Sequence, residues 1–209
     1  MEYIATNAGL LRDVLTGASV ACATDKALPA FNAVKINVAT NDGTTALEFV
    51  ASDRYRLIVG GIAGNLAEFS PEFDALIPLD TVKSWLKALG AVSAKDRATT
   101  PARLEYDGAG ITLHVAGQTI TAPMPLSVDQ FPKYRQLLAR PHGTPDGVTE
   151  IGLNQDLLAS VAKVPCAKGE SVKLEFTTNN RPVFITIPHD FIKWEFLLMP
   201  VRLSDKYNR

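Results

Sequence analysis

The residues of this chain that could do covalent chemistry are few and scattered. Glu48 and Asp53 come nearest to a pair of carboxylates for acid–base work, but they lie an odd number of positions apart in a strand-like stretch. Successive strand side chains point to opposite faces, so the two cannot converge. Cys22 and Cys166 have no Cys or His at metal-ligand spacing, and His114, His142 and His189 are equally isolated. Gly108-Ala109-Gly110 lacks the third glycine and the strand-to-helix setting of a dinucleotide loop, and no G-x-S-x-G, H-E-x-x-H or G-K-[ST] sequence occurs. The chain reads as a non-enzyme without metal or cofactor.

What remains is binding chemistry, in three segments far apart: Ser52-Asp53-Arg54-Tyr55-Arg56-Leu57, Phe131-Pro132-Lys133-Tyr134-Arg135, and Leu197-Leu198-Met199-Pro200-Val201-Arg202-Leu203. Met and Pro at the end of an apolar strand make an adaptable, polarizable wall, suited to several peptides that share a few apolar anchors. The plainer reading of the same residues is an edge strand packed into a core. Arg56 and Arg202 either fix a peptide's polar atoms or lay their stems over apolar surface.

Segments this distant must be brought together by regular elements, and the hydrophobic spacing repeats one design three times. Near residues 2, 75 and 148 a short strand runs into a polar cap, an apolar-faced helix, and strands joined by tight turns. Asn7 is the expected N-cap of a helix with Leu10, Leu11, Val14 and Leu15 on one face. Asp80 or Thr81 caps the second, which carries Val82, Trp85, Leu86 and Leu89 and stops at Gly90; Asn154 caps the third, with Leu157, Leu158 and Val161. The strands of the first unit alternate through Val34, Ile36 and Val38 to a turn at Asp42-Gly43, then run from Leu47 to Val50 and Tyr55 to Val59. Those of the second run from Ala102 to Tyr106, Ile111 to Val115 and Ile120 to Met124, with turns at Asp107-Gly108 and Gly117-Gln118. Those of the third run from Val172 to Phe176, Val183 to Ile187 and Phe196 to Met199, with a turn at Asn179-Asn180.

The expected fold is therefore α+β, built from β-α-β-β-β units. One unit cannot bury both its helix face and its sheet face, so units pair. The first two, about residues 1–74 and 75–138, form a complete domain; a Pro- and Gly-rich linker, 139–147, leads to the third, 148–209. That third unit is a half-domain, and it must dock on another subunit or pack on its own domain.

With 46% hydrophobic and 21% charged residues the chain is globular rather than disordered, and no stretch approaches the roughly 18 apolar residues of a membrane span. The N-terminus has no basic region followed by an apolar run, so cytoplasmic residence and no membrane partner are expected. A formal charge of −1 lacks the basic footprint of a protein that grips phosphates tightly.

In order and interval, the three segments resemble those of the bacterial DNA polymerase sliding clamp, the beta subunit of DNA polymerase III. In that family a D-x-x-R-L strand, an F-P-x-Y-R segment and a closing M-P-x-R-L line a groove that captures polymerase and repair-protein peptides. Leu28-Pro29-Ala30-Phe31-Asn32-Ala33-Val34, Ala75-Leu76-Ile77-Pro78 and Ile151-Gly152-Leu153-Asn154 extend the resemblance over nearly the whole chain.

The resemblance implies a DNA-clamp fold and a DNA-replication processivity factor. Its groove would comprise Phe31, Ser52, Arg54, Tyr55, Arg56 and Leu57, then Pro132 and Leu137, then Asn154, Leu157, Leu197, Met199, Pro200, Val201, Arg202 and Leu203. Arg12, Lys83, Lys87 and Lys163 on helix faces, with Lys26 and Lys168 just beyond helix ends, would meet DNA phosphates; their alternative is simple solvated charge. The partners implied are duplex DNA without sequence preference, DNA polymerase and other proteins with clamp-binding motifs, and a clamp loader. A protein that encloses DNA topologically needs only a mildly positive inner surface, so the near-neutral charge is compatible with this role.

The family's subunit has three domains, which 209 residues cannot hold. Residues 1–138 match its middle domain and 148–203 the second half of its last. The chain thus resembles a shortened clamp, phage-encoded or otherwise divergent, working in a bacterial cytoplasm. It would act as a homo-oligomer, and four chains of three units would complete the family's twelve-unit ring. A clamp-like adaptor or decoy that binds the same peptides without closing a ring is the competing reading. Tyr55 is bulkier than many members carry there, and residues 204–209 continue where the family usually stops, which places a tail beside the groove.

Overall fold

A computed structural model describes residues 2–41, 43–108, 110–123, 126–139 and 150–203. The first unit is β1 (Glu2–Asn7), α1 (Ala8–Ser19), β2 (Ala33–Asn41), β3 (Thr44–Ser52) and β4 (Arg56–Ala63), followed by a short β5 (Glu68–Phe69). The second is β6 (Asp74–Pro78), α2 (Leu79–Ala91), β7 (Pro101–Tyr106), β8 (Ile111–Val115) and β9 (Gln118–Ala122). A segment holding α3 (Arg135–Leu138) leaves it. The third unit is α4 (Gln155–Ala159), a 3-10 turn Ser160–Lys163, β10 (Lys173–Glu175), β11 (Val183–Ile187) and β12 (Ile192–Leu198).

Two of the three caps are as spaced in the sequence. The Asn7 side chain accepts the Leu10 N–H at 2.8 Å, and the Asn154 side chain accepts those of Asp156 and Leu157, filling donors that a helix start leaves open. The second helix differs from expectation at both ends. It starts at Leu79 behind Pro78, with no side-chain cap, and Asp80 lies inside its first turn, where a carboxylate suits the helix dipole. Nor does it stop at Gly90: it runs through to Ala91, and the Arg97 guanidinium donates to the carbonyls of Gly90 and Val92 that would otherwise be orphaned. Among the described residues no strand leads into α4; residues 150–153 are irregular. The expected turn residue Asp42, the linker beyond Ala139 and the tail 204–209 lie outside the described residues.

The units exchange their leading strands. β1 pairs antiparallel with β7 of the second unit, and β6 pairs antiparallel with β2 of the first. This gives a five-stranded sheet, β5-β1-β7-β8-β9, and a seven-stranded one, β10-β11-β12-β4-β3-β2-β6. The third unit enters the second sheet through β12 and β4, with Trp194 opposite Gly60 and Leu198 opposite Arg56.

α1 packs on α2 between the sheets, and the core they share takes in Ile185, Trp194, Phe196 and Leu198 of the third unit. Trp194 is 1% exposed, and its indole fills a notch made by two glycines. A Cβ on Gly17 of α1 would lie 2.3 Å from the ring, and one on Gly60 of β4 2.4 Å. A second apolar cluster lies on the opposite face of the seven-stranded sheet, where Phe131 and Tyr134 cover Val50, Leu57, Phe184 and Leu197.

Candidate functional site

The loop between β3 and β4 is closed by its own polar residues. Ser52 Oγ donates to the Arg56 carbonyl at 2.7 Å, and Asp53 Oδ1 accepts the Tyr55 and Arg56 N–H groups at 3.0 and 2.7 Å. Asp53 Oδ2 takes Arg56 Nε at 2.9 Å and Nη2 at 2.6 Å, a two-pronged pair with side chains only 11% and 12% exposed. Arg56 Nη1 donates onward to Ser160 Oγ at 2.8 Å, tying the loop to the turn after α4. Arg54 adopts φ 77°, a left-handed conformation that side chains other than glycine rarely take. The tight turn that results holds Tyr55 outward, 56% exposed.

β12 leaves the sheet beside this tip. The Met199 N–H donates to the Tyr55 carbonyl at 2.9 Å, and the Val201 N–H donates to the Gly152 carbonyl at 2.9 Å. Gly152 is required there, because a Cβ would lie 2.4 Å from the Val201 oxygen. The arm Met199 to Leu203 is thus pinned by its backbone while the Met199, Val201, Arg202 and Leu203 side chains stay exposed. A cleft of about 520 Å³ opens between the arm, residues 150–152 and the Asn179-Asn180 turn.

The third motif is anchored from beneath. Tyr134 Oη donates to Glu48 Oε2 at 2.6 Å, with Asn37 Oδ1 3.1 Å away, and Arg135 Nη2 donates to the same Glu48 oxygen at 2.6 Å. Burial first, and then the Glu48 carboxylate, push the Tyr134 phenol pKa up. Phe131 is buried against the sheet, while Leu137, in α3, is 54% exposed.

Among the described residues nine large apolar side chains are exposed, and Tyr55, Leu137, Met199, Val201 and Leu203, five of them, belong to the expected groove. Of its other members, Ser52, Leu57 and Leu197 are buried, Phe31, Arg56, Pro132, Leu157 and Pro200 half-buried, and Arg54, Asn154 and Arg202 exposed. The 52–57 loop is bonded to the turn after α4 and to the 197–203 arm, and the arm to Gly152 ahead of α4. Pro132 follows Phe131, which shares the outer cluster with Leu57 and Leu197. Phe31 adjoins Ala30 of that cluster. Sequence reasoning missed Ser160, Glu48, Asn179 and Asn180. Only Glu48 carried a signal, as the lone acid amid the apolar run of β3.

Among the candidate phosphate contacts, Lys83 and Lys87 stand exposed one turn apart on α2, and Lys163 and Lys168 are exposed around the third unit's 3-10 turn. Lys26 Nζ donates to Asp80 Oδ2 at 2.7 Å, and Lys83 lies 3.6 Å from the other oxygen. That hydrogen bond, then the charge pairing, raise the Lys26 pKa and lower that of Asp80. Arg12 lies 3.6 Å from Asp13. Cys22 is buried, donates to the Ala33 carbonyl and has its thiol pKa pushed up to about 12 by burial, so it is unreactive. No metal-holding cluster of His, Cys, Asp and Glu occurs among the described residues, and no helix there is long and apolar enough to cross a membrane.

Paired helices between two antiparallel sheets, in units that exchange leading strands, make this a protein of DNA-clamp fold. Among the solved structures it is similar to are DNA polymerase III beta subunits, the bacterial sliding clamps. One from Thermotoga maritima superposes with a TM-score of 0.74 at 17% identity, covering 98% of this chain and 66% of that one. The Caulobacter crescentus clamp gives 0.74 at 15%, covering 96% and 65%. A Bartonella birtlesii clamp bound to griselimycin gives 0.71 at 15%, covering 97% and 66%. The chain thus spans about two thirds of their length. By sequence it matches no family model and no curated protein.

Proposed function

We propose that this protein is a DNA sliding clamp, a replication processivity factor that encircles duplex DNA as an oligomer and tethers a DNA polymerase through a hydrophobic peptide groove. The observation that carries this reading is the convergence, on a chain of clamp fold, of the 52–57 loop, α4 and the 197–203 arm, with Tyr55, Met199, Val201 and Leu203 exposed where they meet. Arg56 serves as the frame, since Asp53 and Ser160 already engage it. Arg54, Asn154 and Arg202 are the exposed polar groups left to meet a peptide backbone. Other proteins with clamp-binding motifs would use the same groove, and a closed ring would need a clamp loader.

Replacing Met199 and Pro200 together by alanine tests the groove, because a few anchors dominate such interfaces. Both residues follow β12, so the fold should persist while calorimetric titration with polymerase-derived peptides loses its signal. Unchanged affinity in the folded variant refutes the assignment.

A clamp-like adaptor or decoy, binding peptides without closing a ring, is favoured by one observation: Asp80 already engages Lys26 and Lys83. Retention of the chain on circular duplex, lost on linearisation, distinguishes the two, since only a ring is held topologically.

A further inference from the structure

Each leading segment in this fold, β1, β6 and residues 150–153, has two edges. One edge bonds to the segment that trails the strand's own unit: β1 to β5, β6 to Leu126, and residue 152 to Val201. The other edge takes the first strand after the helix of a sister unit: β1 takes β7, and β6 takes β2. Residues 150–153 have the first kind of contact. Among the described residues they have no strand pairing of the second kind, and β10, the counterpart of β2 and β7, is paired only with β11.

The helices repeat the asymmetry. α1 and α2 cover each other, whereas the only element in extended contact with α4 among the described residues is the 3-10 turn that continues it. Beside it lies an apolar hollow of about 370 Å³ lined by Leu158, Ala162, Cys166, Leu174 and Ile185. Leu158, Val172 and Leu174 are 39, 40 and 36% exposed, and with the five groove residues they account for all but one of the large exposed apolar side chains.

We infer that this face binds the same face of a second copy of the chain. A sister to the third unit must offer a post-helix strand at a sheet edge, a leading segment without a second strand beside it and an uncovered helix at once, and among the described residues the third unit itself offers all three. The register follows from the complete pair, in which N-cap Asn7 faces Pro101 and N-cap Pro78 faces Ala33, each the first residue of its strand. Asn154 of one copy is set against the start of β10 of the other. The same contact recurs with the copies exchanged, so the pairing is two-fold and closes on itself. It would cover the outer edge of β10, the last strand of its sheet among the described residues, where an open edge invites uncontrolled strand addition.

The test needs neither DNA nor peptide, so its failure is distinguishable from failure of the groove. Sedimentation from micromolar to hundreds of micromolar should give a concentration-dependent dimer. Leu158→Glu and Leu174→Asp, both on exposed side chains, should each leave a folded monomer, while Phe191→Glu, on a still more exposed residue elsewhere, should still dimerise. Thiol labelling at Cys166 should slow at least tenfold at dimer-forming concentrations; Cys22 is buried and gives no background. A monomer at every concentration, a dimer indifferent to both face substitutions, or a Cys166 already protected in the monomer overturns the inference.

Discussion

Replacing Gly17 by alanine should destabilise this protein, although in an exposed helix interior the same change stabilises by about 1 kcal/mol. The new Cβ would lie 2.3 Å from Trp194 Cη2 and 2.6 Å from Cζ2. Carbon atoms make good contact only near ~3.5 Å, so the indole would have to retreat by about 1 Å. It has nowhere to go, because Gly60 lies against the same ring, and the residue is 1% exposed. Overpacking of about 1–3 kcal/mol therefore outweighs the propensity gain. Trp194→Leu should cost about 3 kcal/mol by itself, since it empties much of the notch. In that background Gly17→Ala should change sign and stabilise, its methyl now partly filling the hollow. The double-mutant cycle should give a coupling on the order of 2 kcal/mol, read from urea midpoints at constant slope. Far-UV circular dichroism and Trp85 fluorescence should report one coincident transition, as a core shared by all three units requires. Additivity within about 0.5 kcal/mol, or a higher midpoint for Gly17→Ala alone, would refute the notch as what seats the third unit.

Arg54→Gly should raise stability by up to about 1 kcal/mol by relieving the left-handed backbone, as seen in thermal melts; a loss would mean that the Arg54 side chain supports the loop. Tyr134→Phe should cost about 1–3 kcal/mol, because buried Glu48 loses a donor. The Tyr134 pKa is raised on folding, so its contribution is whole below the ordinary phenol pKa of about 10 and is lost as pH rises through the higher folded value. Wild-type stability should thus fall above about pH 10 more steeply than that of Tyr134→Phe, and parallel curves would contradict the shift. Lys83→Glu with Lys87→Glu should weaken salt-sensitive association with duplex and leave peptide affinity unchanged. Equal retention of variant and wild type at low salt would remove α2 from the DNA-facing surface.

Local spacing alone determined the helices with their apolar faces, the caps at Asn7 and Asn154 and the runs of alternating strand; it left Met199, Val201 and Leu203 equally suited to a strand packed into a core. Faces, caps and alternation depend on residues a few positions apart, so they are written in short windows. The ends of α2 differ from the spacing because the Asn32 carbonyl takes the Leu79 N–H and Arg97 donates to the Gly90 and Val92 carbonyls, contacts that no periodicity encodes. The tertiary structure decided the rest. Arg56 meets Ser160 across 104 positions and Tyr134 meets Glu48 across 86, so residues suited to seizing a ligand became the frame that holds the site. Likewise Gly17 and Gly60 look like unremarkable small residues until Trp194 fills the space between them. Joining β12 to β4 turned a linked half-domain into a continuation of the first unit's sheet and core. Which edge a strand joins depends on the shape and hydrogen bonds of a surface assembled from distant residues, and that surface exists only once the chain has folded.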